Sequence, residues 1–239
     1  MTRCVYAIVP SATRLPRGRG FRGERLRVLR AGAVGAVVGE LGRAPRQTPA
    51  NLRAYHRVVE QLSAACPALL PVRFGTVLAD EDEIVGMLRS RQAAFRRRLT
   101  QVRGRVQMTV RLVRPAHADA STSSTAARPP ASSGAEYLFA RAAAHRREEG
   151  AAECAALRLL VGRWVKAERV QPQGPVISVY HLVPRTAATA YRQVIEGAGV
   201  PGVRLMVSGP FPPFAFVDAI EREAMTRAPG VDPQRAVSG

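Results

Sequence analysis

The sequence predicts a mixed α+β protein, and three observations carry that prediction. Short β-branched runs alternate along the chain with segments whose apolar residues recur at three-and-four spacing. Both kinds of segment are closed by prolines or glycines, and a stretch poor in large apolar side chains divides the chain near its middle. With 239 residues, 46% of them hydrophobic, there is apolar surface enough for one large core or two modest ones.

Cys4 to Val9 is short, β-branched and closed by Pro10, which predicts a strand that enters a core at once. Residues 11 to 30 hold seven arginines (Arg14, Arg17, Arg19, Arg22, Arg25, Arg27, Arg30) against Glu24 alone, with Pro16 and glycines at 18, 20 and 23. So much punctuation predicts a basic loop, either solvated or a contact surface for an acidic partner. Ala33 to Leu41 is small and apolar and reads as a second strand. Thr48 followed by Pro49 is a helix start, and Leu52, Tyr55, Val58, Val59 and Leu62 form its stripe before Pro67 ends it. His56 borders that stripe with no metal-spaced neighbour, so it reads as a surface or half-buried side chain.

Leu69 to Leu78 reads as a third, central strand between two helices, with Arg73 buried in it and in need of a partner, sought first among Asp80, Glu81, Asp82 and Glu83. Those four acids are placed to cap the next helix rather than to bind a metal, since carboxylates satisfy its free N–H groups and complement its dipole. Ile84, Val85, Leu88, Phe95, Leu99 and Val102 make one helical stripe ending at Gly104, and Val106, Met108, Val110 and Leu112 alternate as a strand with one buried face. Pro115 to Gly134 is a linker or insertion rich in Ala, Ser, Thr and Pro. A long helix is expected from Ala135 to Arg169, then a strand to Val183, a short helix from Thr186, a strand from Val203 to Val207, and a frayed tail beyond Ile220.

The net charge of +18 would suit an anionic partner, but Lys166 is the single lysine and aromatic residues are only 5%, too few for an obvious base-stacking platform. Cys4, Cys66 and Cys154 show no paired spacing and fit a reducing cytoplasm. No run reaches the ~20 apolar residues of a membrane span, and no cationic-then-apolar leader opens the sequence, so a cytoplasmic protein is expected. Phosphate loop, nucleophile elbow, paired metal-ligating histidines and dinucleotide fingerprint are all missing from the sequence. His56, His117, His145 and His181 fall in different elements, and no residue is nominated as catalytic.

Three motifs in order, Leu70-Pro-Val-Arg-Phe-Gly-Thr76, Glu136-Tyr-Leu-Phe-Ala-Arg141 and Ser208-Gly-Pro-Phe-Pro-Pro-Phe-Ala-Phe216, resemble the gas vesicle protein F / gas vesicle protein L family. The strands at Val5 to Ala7 and Val34 to Val38 are similar to its N-terminal half. Where that family commonly carries Glu-Trp, this chain has Gln107-Met108; Phe211, Phe214 and Ala215 stand where Trp, Tyr and Ser are usual. The resemblance implies two α+β domains, an N-terminal mixed one over 1–103 and a C-terminal modified ferredoxin-like one over 104–222 with a long helix, then a tail over 223–239. It implies a non-enzymatic accessory or minor structural protein of gas vesicle formation that uses no cofactor. The implied partners are the hydrophobic shell protein and other accessory gas vesicle proteins, not a membrane, nucleic acid or small molecule. The alternative is a nucleic-acid-binding module built on the arginine loop 14–30. Contact residues implied by the motifs are Arg73, Phe74, Gly75, Thr76, Tyr137, Leu138, Arg141, Gly209, Pro210, Phe211, Pro212, Pro213 and Phe214. Residue chemistry leaves the Gly-Pro-Phe-Pro-Pro-Phe run as either a strand end packed on the core or an exposed aromatic-proline ridge.

Overall fold

In the computed structural model, residues 2–113, 151–173, 176–200 and 202–217 are described. The chain forms two compact units, one made of Met1–Gly104 with Phe211–Gly239, the other of Arg105–Pro210. From Phe211 the chain rejoins the first unit, where the carbonyl of Phe216 accepts a 2.7 Å hydrogen bond from the Arg98 guanidinium.

The first unit is built on β1 (Thr2–Pro10), paired antiparallel to β3 (Val34–Leu41), which in turn pairs with β2 (Leu26–Ala31). Residues 4 to 9 are all buried, which requires cover on both faces of the sheet. Helix α1 (Pro49–Ala65) supplies Tyr55, Val58, Val59 and Leu62 to a core with Cys4, Tyr6, Val37 and Leu41. Helices α2 (Glu81–Ser90) and α3 (Gln92–Val102) pack against β1, β2 and β3 and bury Ile84, Leu88, Phe95 and Leu99.

Several expectations meet corrections here. The basic loop ends at Arg25, because Leu26, Val28 and Leu29 carry the chain into β2, and the charge of Arg27 is met by Glu81 at 2.6 Å and Glu40 at 3.1 Å. Glu24 is turned inward, where it accepts from the Tyr6 hydroxyl and from the Arg22 amide at 2.9 Å. Leu69 to Leu78 is not one central strand. Only β4 (Leu70–Pro71) and β5 (Val77–Leu78) pair, both with β1 and on the side away from β3, with Ala7↔Pro71 at one end and Cys4↔Val77 at the other. The segment between them is longer than the β1 stretch it faces and is therefore extruded. Arg73 is exposed as a result, and Asp80, Glu81 and Glu83, three of the acids proposed as its partner, bond elsewhere. Asp80 caps α2 by accepting from the Glu83 amide at 2.8 Å, Glu83 accepts from the Ala79 amide at 2.9 Å, and Glu81 bonds Arg27 and Arg3. The single stripe expected over 84–102 is two helices broken at Arg91.

The second unit runs β6 (Arg105–Val113), a helix α4 described over 151–161, β7 (Ala167–Gln173), β8 (Val176–Pro184), α5 (Ala188–Gly197) and β9 (Arg204–Phe211). Its sheet order is β7-β8-β6-β9. A βαββαβ chain whose two central strands are its first and third is the ferredoxin-like arrangement. The helix expected to reach Arg169 stops at 161, and Ala167–Gln173 is an edge strand, where Pro172 is tolerated because edge positions need no complete ladder. Strand β6 buries not only Val106, Met108, Val110 and Leu112 but also Gln107 and Thr109, whose side chains bond each other at 3.3 Å. After β9 the chain makes a 3₁₀ turn at Phe214–Phe216. Tyr137, Leu138, Arg141 and the linker 115–134 lie outside the described residues.

Gly209 sits in β9 at φ +118°, and a Cβ there would lie 2.8 Å from the Gln107 carbonyl oxygen. Gly86, exposed inside α2, would meet nothing within 4 Å. Gly209→Ala should therefore lose about 1–3 kcal/mol in urea unfolding, whereas Gly86→Ala should gain about 0.5–1 kcal/mol.

Candidate functional site

The site grows from the start of α1. Thr48 is the N-cap, its Oγ1 accepting from the Asn51 amide at 3.2 Å, and Pro49 opens the helix. Tyr55, Val58, Val59 and Leu62 turn inward; that phase leaves Leu52, Arg53, His56 and Arg57 along the margin of the buried stripe. Leu52 is 44% exposed, unusual for a leucine beside a core.

The extruded segment between β4 and β5 forms the facing wall. It is pinned at both ends, since the Val72 amide donates to the Tyr6 carbonyl and the Val5 amide to the Thr76 carbonyl, each at 3.0 Å. The Tyr55 hydroxyl donates to the Val72 carbonyl at 2.8 Å. Gly75 at φ +87° and a 3.2 Å bond from the Thr76 amide to the Arg73 carbonyl close the turn between these anchors. Phe74 thereby joins an aromatic cluster, edge-on to Tyr55 at 5.3 Å and to Phe21 at 5.7 Å, while Tyr6 stacks on Tyr55 at 5.0 Å.

The third wall is the returning chain. Pro212, Pro213, Phe216 and Val217 are buried, so this part of the proline run packs on the core; Pro210 is exposed and Phe211 and Phe214 are half-exposed. Phe214 lies flat on the His56 ring at 5.5 Å, and His56 Nε2 pairs with Glu60 at 3.1 Å. The three walls enclose an open groove of about 860 Å³ with Phe74, Phe214, Leu52 and Pro71 forming apolar surface and Arg53, Arg57 and Arg73 around it; among the described residues no carboxylate lines it. Two motifs more than 130 residues apart in the chain thus meet in one groove. Among the other residues singled out in the sequence, Gly75 and Thr76 shape the turn. Gly209 and Pro210 belong to the second unit, where Gly209 allows close approach to β6 and its carbonyl accepts from Arg192.

Sequence reasoning missed a buried network in the second unit. His181 on β8 is wholly buried; its Nδ1 is 2.6 Å from the Tyr191 hydroxyl on α5 and its Nε2 is 2.9 Å from Glu168 on β7. Glu168 also accepts from Arg158 on α4, at 2.6 Å from Nη2 and at 3.0 and 3.2 Å from Nε. With Nε2–H donating to the carboxylate, Nδ1 accepts from the tyrosine, so every polar atom of the ring is satisfied. The signal was legible: Val-Ile-Ser-Val-Tyr-His-Leu-Val places His181 on the face of Ile177, Val179 and Val183, where a histidine needs partners. Burial lowers the His181 pKa against the opposing pull of Glu168. Burial alone would raise the Glu168 pKa, but hydrogen bonds from Arg158 and His181 outweigh it and hold the carboxyl below its ordinary range. The network ties four elements together, running from the buried His181 and Tyr191 through the half-buried Glu168 to the exposed Arg158.

A pH dependence follows. The folded chain keeps His181 neutral while the unfolded chain takes up a proton near 6.5, so the unfolded state binds more protons below that pH and stability falls. Glu168 extends the loss below 4.5. Urea midpoints should be level between about pH 7 and 8 and decline below about 6.5. The decline between about 6.5 and 5 should flatten in His181→Gln, whose stability at pH 8 is lower; an unchanged slope would contradict the assignment.

The family described as gas vesicle synthesis protein GvpL/GvpF matches residues 2–218. The chain is 30% identical over an alignment of 251 residues to gas vesicle protein L of Streptomyces sp. (strain CB03234), covering 92% of this chain and 94% of that protein. Gas vesicle protein F of the same strain is 29% identical over 115 residues, covering 46% of this chain and 48% of that protein. Among solved structures, GvpF from Anabaena sp. PCC7120 superposes with a TM-score of 0.72 at 15% identity, over 90% of this chain and 95% of that one. GvpF from Microcystis aeruginosa gives 0.70 at 12% identity, over 90% and 98%.

Proposed function

The chain belongs to the GvpL/GvpF gas vesicle synthesis family, and from that premise we propose that it is a non-enzymatic accessory protein of gas vesicle formation. It acts through contacts with the hydrophobic shell protein and other gas vesicle proteins during nucleation or assembly, in the cytoplasm and associated with the vesicle.

The observation that supports this reading is the groove of the first unit. An apolar floor of about 860 Å³ flanked by guanidinium groups suits the side chains of another protein, since it offers both area to bury and charges to orient a partner. It brings together two of the three motifs that carry the family resemblance. Family members with Trp or Tyr at positions 211 and 214 would have hydrogen-bond donors there; Phe211 and Phe214 have none, so recognition by this chain rests on apolar area and on charge. Among the described residues no helix is long and apolar enough to cross a membrane.

The test is co-precipitation. Tagged full-length chain, expressed with the proteins of a gas vesicle cluster, should retain the shell protein or another gas vesicle protein through washing at moderate salt. Recovery of none of them would overturn the reading.

A further inference from the structure

We propose that the groove between α1, the turn after β4 and the returning segment at Phe214 is the docking site for an acidic, apolar segment of a partner protein. The carboxylates of that segment would lie on Arg53 and Arg57, its apolar side chains on Leu52 and Phe74. This identifies the surface behind the protein-contact role above and rests on that reading.

Charge and shape argue for this occupant together. Arg53 and Arg57 are one turn apart on α1, both exposed, and neither forms an ion pair with a described residue. The one carboxylate of α1 itself, Glu60, is engaged by His56 at 3.1 Å. An isolated anion gains little from solvated guanidinium groups, so a ligand must also fill the apolar floor to be held. A peptide with acidic and apolar residues alternating on one face does both, and its carboxylates can take paired N–H bonds from arginine.

Nucleic acid would also meet the positive charge, but the rings are poorly placed to stack bases. Phe74 is fixed edge-on by Tyr55 and Phe21, and Phe214 is already stacked on His56. The neighbouring loop adds Arg14, Arg17, Arg19, Arg22 and Arg25, all exposed, and Phe21 joins that loop to the groove through Phe74. The net charge of +18 thus has a local focus that would speed encounter with an acidic partner.

The experiment uses the full chain and a fluorescein-labelled synthetic helix with Leu at three-and-four spacing and Glu on the flanking positions. Two control peptides carry Gln for Glu and Ser for Leu, and a single-stranded DNA oligonucleotide of similar length is the third. Anisotropy should show binding of the acidic apolar peptide and binding at least about tenfold weaker to each control peptide. Arg53→Glu with Arg57→Glu, and separately the exposed Leu52→Ser, should each weaken the first peptide by about tenfold with unchanged melting temperature. No binding of the acidic apolar peptide would overturn the proposal. So would equally tight DNA binding that is lost in the arginine variant and untouched by Leu52→Ser, since that pattern marks a polyanion site. If shell or accessory proteins still co-precipitate with the arginine variant, the groove assignment falls and the accessory role stands; if they fail to co-precipitate even with the unaltered chain, the role itself falls.

Discussion

The architecture of the first unit hangs on one hydroxyl. Tyr55 reaches from α1 across the buried face of β1 and donates to the Val72 carbonyl at 2.8 Å, with the Val5 carbonyl 3.1 Å away. A buried phenol left without an acceptor would cost about 1–3 kcal/mol, so helix, strand and extruded turn are held in one arrangement. The pairing of Tyr6 with Glu24 extends the tie to the arginine loop, because Glu24 also holds the Arg22 amide and the Tyr6 oxygen accepts from the Phe21 amide at 3.1 Å. Phe21, Tyr55 and Phe74 then pack as a unit. The groove is a consequence of this tie rather than a separate feature: what pins Val72 is also what turns Arg73 and Phe74 outward.

Much of this was legible in the sequence, for identifiable reasons. Thr48-Pro49 followed by a 3.6-period stripe specified α1 down to its cap, and Asp80 to Glu83 read correctly as a helix start because local hydrogen bonding decides both. The C-terminal unit's ferredoxin-like order agrees with what the family resemblance implied. What failed was decided by tertiary contacts. Leu69 to Leu78 has the composition of a buried strand, yet β1 offers fewer residues than the segment contains, and the surplus turned a supposed buried arginine into a surface one. Leu26 to Ala31 was hidden among arginines, since its pairing with β3 and the carboxylates of Glu40 and Glu81 appear only in three dimensions. Ala167–Gln173 lacks alternation because it is an edge strand, where one side and much of the length face water.

The two units stabilise themselves by different means. The first relies on aromatic packing and capped helices, the second on a chain of Tyr191, His181, Glu168 and Arg158 that links α5, β8, β7 and α4 and runs from the core to the surface. Each of its members is satisfied by another, which makes it a specifier of one packing. The three buried thiols behave alike: burial, with the nearby charge of Glu24, pushes the Cys4 thiol up to about 12, and burial also raises those of Cys66 and Cys154. Of the exposed arginines, Arg53, Arg57 and Arg73 line the apolar groove.

The most direct test of this account is photo-crosslinking in cells that make gas vesicles. A benzophenone amino acid placed at position 52, in the groove, is compared with one at position 159 on α4 of the second unit, where Leu159 is 90% exposed. The account predicts a crosslink from position 52 to a gas vesicle protein and none of comparable yield from position 159. Equal crosslinking from both positions, or crosslinking from 159 alone, would contradict it.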